Sequence, residues 1–88
     1  MREIKEDFKQ LDSLFRREEA LSLESRAVIA TAYELVGTKN PSACEVAIRR
    51  YRKGEHRLTT CRQMYISESN YYRLLTCFLQ LAKDELAQ

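Results

Sequence analysis

Apolar residues recur along this chain at helical spacing in a series of separate stretches. Ile4, Phe8, Leu11 and Phe15 follow one another at intervals of four, three and four, Leu14 widens the stripe, and charged residues fill the positions between. That period predicts an amphipathic helix over residues 3–19 whose apolar edge must pack on something, either its own domain or a partner chain. Ser22 is placed to cap a second helix over residues 23–36, with Val28, Ile29, Ala32, Leu35 and Val36 along its apolar side. Gly37 is placed to end it, because glycine takes a left-handed terminal conformation at little cost. Asn40-Pro41 opens a third helix, Asn40 as the cap and Pro41 where a missing N–H costs nothing. Its apolar face is Cys44, Ala47, Ile48 and Tyr51, its end is basic, and Gly54 is expected to stop it. A short fourth helix is expected over residues 58–64, starting at Thr59 or Thr60. Ser67 caps the fifth and longest, residues 68–86, with Tyr71, Leu74, Leu75, Phe78, Leu81, Ala82 and Leu86 in its stripe.

Composition supports the same picture. A chain of 88 residues holds one domain, and 44% apolar residues can fill a core. Two glycines and one proline are too few for a turn-rich β fold. The expectation is an all-α domain of four or five helices spanning residues 1–88. Residues 1–57 would supply the N-terminal helices and a dimerisation part, and residues 58–88 a C-terminal helix-turn-helix. No apolar run of about 18 residues could span a bilayer, and no signal peptide is visible, so a cytoplasmic protein without a membrane partner is expected. Cys44, Cys61 and Cys77 are odd in number and widely spaced, with no CxxC pair. They predict reduced core thiols, and no disulfide framework, zinc site or other cofactor.

Charge is unevenly distributed. Residues 1–36 carry six cations against eight carboxylates, whereas residues 49–73 carry seven cations against two. A basic block on a chain of net charge +2 suits a polyanion-binding face, although such clusters also serve as plain solvated surface.

Residues 61–73, CRQMYISESNYYR, explain what that block could serve. A DNA-binding helix-turn-helix needs a small residue where its two helices touch, and Cys61 supplies one. It needs an apolar plug in the turn, and Ile66 stands five residues on. It needs a capped second helix, which Ser67 provides, and an inward residue near that helix's start, here Tyr71. The position four after the small residue is often glycine and here is Tyr65, which predicts a non-glycine turn geometry or a longer turn. Glu68, Ser69, Asn70, Tyr72 and Arg73 would then face the major groove, with the capping Ser67 counted among the DNA-binding residues. Arg73 can hydrogen-bond a guanine edge and Asn70 an adenine edge. Ser69 and Tyr72 can reach phosphate oxygens, and Glu68 can accept from cytosine or favour the helix N-terminus. Arg62 and the block Arg49, Arg50, Arg52, Lys53 and Arg57 would add phosphate contacts. Tyr65 and Tyr72 are the only aromatics free of the apolar stripes, too few for single-strand stacking.

The stretch from Cys61 to Leu86 resembles the C-terminal part of the ArpU- and RinA-like transcription regulators of Gram-positive phages. The resemblance is carried by Cys61, Met64, Ile66-Ser67, Tyr71-Tyr72-Arg73 and Leu81-Ala82…Leu86, and it covers about the last 30 residues. It implies a helix-turn-helix like that of sigma-factor region 4, promoter DNA as the ligand, and control of phage or prophage genes. RNA polymerase or another phage or host protein would be a further partner. Residues 1–57 match no motif of that family, and the chain is shorter than most of its members. A homodimer is expected, because two half-sites multiply the affinity of one small unit. The N-terminal helix and the end of the last helix are its candidate surfaces.

Enzyme chemistry finds no support in the residues. His56 is the one histidine and sits beside Glu55 in a basic stretch, no glycine-rich phosphate loop exists, and no Cys–His spacing suggests a nucleophile and base. Two other readings stay open: a helical adaptor that binds a protein through the residue 4–15 stripe, and a phage DNA packaging or recombination accessory. Salt separates the first from a duplex binder, since every phosphate contact releases counterion.

Overall fold

Helix capping and one proline set most of the chain's boundaries in the computed structural model, which describes residues 4–87. A single 3₁₀ turn, Glu6–Phe8, leads into α1, Lys9–Arg16, and a second 3₁₀ turn, Glu18–Ala20, follows it. The first helix is therefore shorter than expected, and its expected start at residue 3 lies outside the described residues. α2 runs Leu23–Lys39, α3 Pro41–Ala47, α4 Arg57–Met64 and α5 Glu68–Leu86. The described residues contain no strand.

Ser22 caps α2 as expected, its hydroxyl accepting from the Ser25 N–H at 3.2 Å. Gly37 does not end the helix. The chain stays helical through Lys39 and breaks at Asn40, whose φ of −150° and ψ of 87° lie outside the α region. Pro41 is the cause, because its ring crowds an α-helical residue before it. Asn40 thereby ends α2 and caps α3, its side-chain oxygen accepting from the Ala43 N–H at 3.1 Å.

The end of α3 also departs from expectation. Residues Ile48–Arg52 form a π turn, with the Lys53 N–H reaching back five residues to the Ile48 carbonyl at 3.0 Å. Gly54 follows in the left-handed region at φ 63°, and the Glu55 N–H closes onto the Arg49 carbonyl at 2.8 Å. The widened turn brings two consecutive side chains, Arg50 and Tyr51, to the single carboxylate of Asp12 on α1.

α2, α3 and α5 pack on one another and form the centre of the fold; α1 lies against α5 and the π turn, and α4 against the same two. Small residues Ala32, Ala43, Ala47 and Ala82 are buried where the helices meet. Four rings fill the middle. Phe15 meets Tyr33, Tyr51 and Phe78 with centroids 5.1–5.5 Å apart, and Tyr33 stands 5.3 Å from Phe78. Each such ring, taken from water, contributes about 1.5–3 kcal/mol of transfer free energy, and the ring pairs add to it. Phe8 and Phe15 are buried, and Ile4, Leu11 and Leu14 pack at their edge, so the first stripe covers the domain's own core.

On α2 the buried face is Ile29, Ala32, Tyr33 and Val36. Val28 and Leu35, expected beside them, are exposed, because α3 and α5 cover only one side of the helix. On α5, Leu79 joins the buried set, since this helix touches the others over a wide arc. Cys44, Cys61 and Cys77 are free thiols, the first two buried. Burial pushes both the Cys44 and the Cys61 thiols up in pKa.

Candidate nucleic-acid interface

α4 begins one residue earlier than expected, and neither threonine caps it. His56 does: its backbone is extended and its ring Nδ1 accepts from the Leu58 N–H at 3.1 Å. Thr60 is instead fully buried and donates its hydroxyl to Glu55 at 2.7 Å. Arg49 donates to the same carboxylate at 3.0 Å and to Glu45 at 2.6 Å, which ties α4 to the end of α3. The Thr60 hydroxyl and then Arg49 hold the Glu55 carboxyl below its usual pKa.

The chain between α4 and α5 is three residues long. Tyr65 sits at φ 57°, ψ 46°, the left-handed conformation that glycine adopts most cheaply, at a cost of about 1–2 kcal/mol for a residue with a Cβ. The turn thus has the ordinary glycine-type backbone without the glycine, contrary to the non-glycine geometry or longer turn expected for it. The Tyr65 N–H bonds the Arg62 carbonyl at 3.4 Å and the Ile66 N–H the Cys61 carbonyl at 3.0 Å, the paired bonds of a Schellman ending. The Tyr65 ring buys no burial for that strain, being 95% exposed. Ile66 is half-buried and packs against the core. Ser67 then caps α5, accepting from the Asn70 N–H at 3.1 Å.

Tyr71, on the first turn of α5, is fully buried, and its hydroxyl accepts from Arg50 at 3.3 Å. Tyr72 is half-buried with its ring edge-on to Tyr71 at 5.2 Å, less free than expected. The side chains left toward solvent here are Arg62, Gln63, Tyr65, Ser67, Glu68, Ser69 and Arg73. Asn70 is half-buried and accepts a hydrogen bond from Arg73. Glu68 stands 3.5 Å from Arg57, a loose and exposed pair worth little in stability.

The basic block is disposed differently from the reading of it as a free phosphate-binding surface. Arg50 is bound to Asp12 at 3.3 Å, each side chain about 15% exposed. Arg49 is held by Glu45 and Glu55, and Arg52 by Glu18 at 3.0 Å. Arg52 also lies over the Tyr33 ring at 4.0 Å. Three of the five cations are thus held closely by carboxylates of the same chain, and a fourth, Arg57, makes the loose pair with Glu68. Lys53 and Arg57 stay toward the outside, Lys53 with no ion pair among the described residues. The partners Asp12 and Glu18 lie more than 30 positions from their arginines, and no local sequence signal marks them.

Among the described residues no group of three His, Cys, Asp or Glu side chains comes together to hold a metal, and no helix is long and apolar enough to cross a membrane. Comparison with protein-family models, with curated proteins and with solved structures finds no match to the chain.

Proposed function

We propose that this protein binds double-stranded DNA through α4, the Tyr65–Ser67 turn and the start of α5, and that it acts in transcription control of phage or prophage genes. The observation that carries the proposal is the turn. A left-handed Tyr65, a half-buried Ile66, a capping Ser67 and a buried Tyr71 fix two successive helices tightly, yet leave Arg62, Ser69 and Arg73 toward solvent. The core has no use for that polar face. The likeness of Cys61–Leu86 to ArpU- and RinA-like regulators supports the same assignment and its promoter role.

In this reading α5 enters the major groove by its first turns. Asn70 holds the Arg73 guanidinium in place before DNA arrives, so less side-chain freedom is lost on binding. Arg73 is the guanine reader, and Asn70 an adenine reader once that bond is exchanged. Ser69, Arg62, Arg57 and Lys53 are phosphate contacts. A homodimer remains part of the proposal. Phe8 and Phe15 are occupied by the protomer's own core, so its contact falls on the exposed apolar residues of α2, Val28 and Leu35, beside Leu86 of α5.

Titration of the purified protein into a labelled duplex and its single strand, at 50 and 200 mM salt, tests the proposal. Three cationic phosphate contacts, Arg62, Arg57 and Lys53, give a fourfold salt increase an effect of roughly fortyfold in affinity. The expected result is duplex preference with that salt response. Absence of duplex binding at the lower salt refutes it.

A further inference from the structure

Residues far apart in the sequence meet in an open groove of about 680 Å³ at the corner between α1 and α2. Arg17 and Arg26 line it, together with Arg52, Lys53 and Gly54 from the segment just before α4. Five cations line it, Arg16 being the fifth, against the carboxylates of Glu18 and Glu19. Glu18 is already bound to Arg52, and Arg16 is bound to Asp12 outside the groove. Arg17, Arg26 and Lys53 are left without a carboxylate partner among the described residues, Arg17 making only a 3.4 Å bond to the Ser13 carbonyl. Beneath Arg52 lies Tyr33, whose hydroxyl is buried without a hydrogen-bond partner. Phe15 and Tyr51 also line the groove, so aromatic rings lie under a concave, net cationic rim. That is the chemistry of a phosphate seat, since exposed cations around a low-dielectric floor attract an anion more strongly than the same cations on a convex surface.

We propose that this groove grips the phosphate backbone of the duplex whose bases α5 reads, and that Arg17, Arg26 and Lys53 are its contacts. The inference rests on the duplex-binding reading above and adds to it a backbone clamp that takes two of its three cations, Arg17 and Arg26, from the acidic part of the chain. Lys53 joins the two surfaces: only Gly54, Glu55 and His56 separate it from the first residue of α4. A clamp beside the first helix of the unit, with the second helix in the groove, divides positioning from reading. The acidic bias of residues 1–36 hides this site, because Asp12 and Glu18 are consumed internally while Arg17 and Arg26 are not.

The test uses the full chain, a duplex carrying its selected site and a scrambled duplex of equal length. Affinity is measured across a salt series for wild type, for the combined variant Arg17→Gln, Arg26→Gln, Lys53→Gln, and for Lys39→Gln as a control. Lys39 is also exposed, but it lies at the far end of α2, roughly 20 Å along the helix from Arg26 at 1.5 Å per residue. The combined variant is expected to flatten the slope of log affinity against log salt by roughly 2 to 3 and to weaken both duplexes by the same factor, leaving their ratio intact. Lys39→Gln is expected to leave the slope unchanged. Circular dichroism and melting close to wild type show that the combined variant is folded; if it is not, the single substitutions are used, each expected to flatten the slope by about 0.9. A flattening in the folded combined variant no larger than about 0.9, which Lys53 alone accounts for, overturns the groove and leaves duplex binding standing. A wild type that binds neither duplex overturns both. Loss of preference for the selected site alone would place these cations among the base readers and also overturn the clamp.

Discussion

Asp12 is the residue on which the attachment of α1 most depends, and Asp12→Ala tests that. Its carboxylate accepts from Arg50 on the π turn, from the Tyr51 hydroxyl and from Arg16 one turn on. Arg50 also donates to Tyr71 at the start of α5. Removing the carboxylate leaves Arg50, with about 15% of its side chain exposed, short of its counter-charge, and leaves Tyr51 without an acceptor. Breaking a fully buried pair costs roughly 3–5 kcal/mol. The residual exposure and the remaining bond to Tyr71 reduce that to about 2 kcal/mol, and the lost Tyr51 bond adds about 1. The Arg16 pair is exposed and adds a few tenths at most. The expected loss is therefore about 3 kcal/mol, out of a total of roughly 5–15 for a domain of this kind. An unfolding entropy of about 2.1 cal/mol/K per residue turns this, over 88 residues, into a Tm lower by roughly 16 °C. Urea and thermal unfolding followed by circular dichroism read both numbers. Asp12→Asn keeps an acceptor and loses the charge, so about half the effect is expected. A loss below about 1 kcal/mol for Asp12→Ala would mean that the cluster behaves as a surface ion pair, and would refute the reasoning.

Three further outcomes follow from the same geometry. Gly37→Ala should stabilise the protein by about 0.5–1 kcal/mol, because the site is helix interior and a Cβ there meets the Cys44 Sγ at an ordinary 3.5 Å; a destabilised variant would show that α2 does end at Gly37. Glu55 has its pKa lowered by Thr60 and Arg49, so its contribution to stability is whole above the ordinary value of 4.5 and is lost as pH falls through the lowered one; wild type should therefore lose more stability than Glu55→Gln on acidification from about pH 5 to about pH 3, and parallel pH curves would remove Glu55 from the account. Of the three thiols, half-buried Cys77 should react first with an aromatic disulfide reagent in the native state, with buried Cys44 and Cys61 reacting only on opening; equal native rates would contradict the packing.

What could be read from the sequence was set by local chemistry. Ser22, Asn40-Pro41 and Ser67 marked their boundaries correctly, because a cap bonds an N–H only three residues away. The long stripe of α5 was legible because its whole period lies on one helix. Gly37 misled, since a glycine ends a helix only where the following chain must turn, and here Pro41 imposes the stop three residues later. The His56 cap went unseen because histidine is not a favoured cap, and the π turn has no sequence signature. The candidate site was half legible. Among the turn residues, Cys61 and Tyr71 are buried, Ile66 packs on the core and Ser67 caps α5, as their types suggested. The basic block read as one surface, whereas Arg50 and Arg52 turn to Asp12 and Glu18, which folding alone brings near.

Selection of duplexes from a randomised pool by the purified protein, read out at two salt concentrations, tests the central proposal most directly. The account predicts a recurring motif, of two parts if the protein is dimeric, whose enrichment relaxes at one base position in Arg73→Ala while binding falls by roughly 1–3 kcal/mol. Salt-sensitive retention without any enriched sequence would contradict base reading by α5, and no retention at either salt would contradict DNA binding itself.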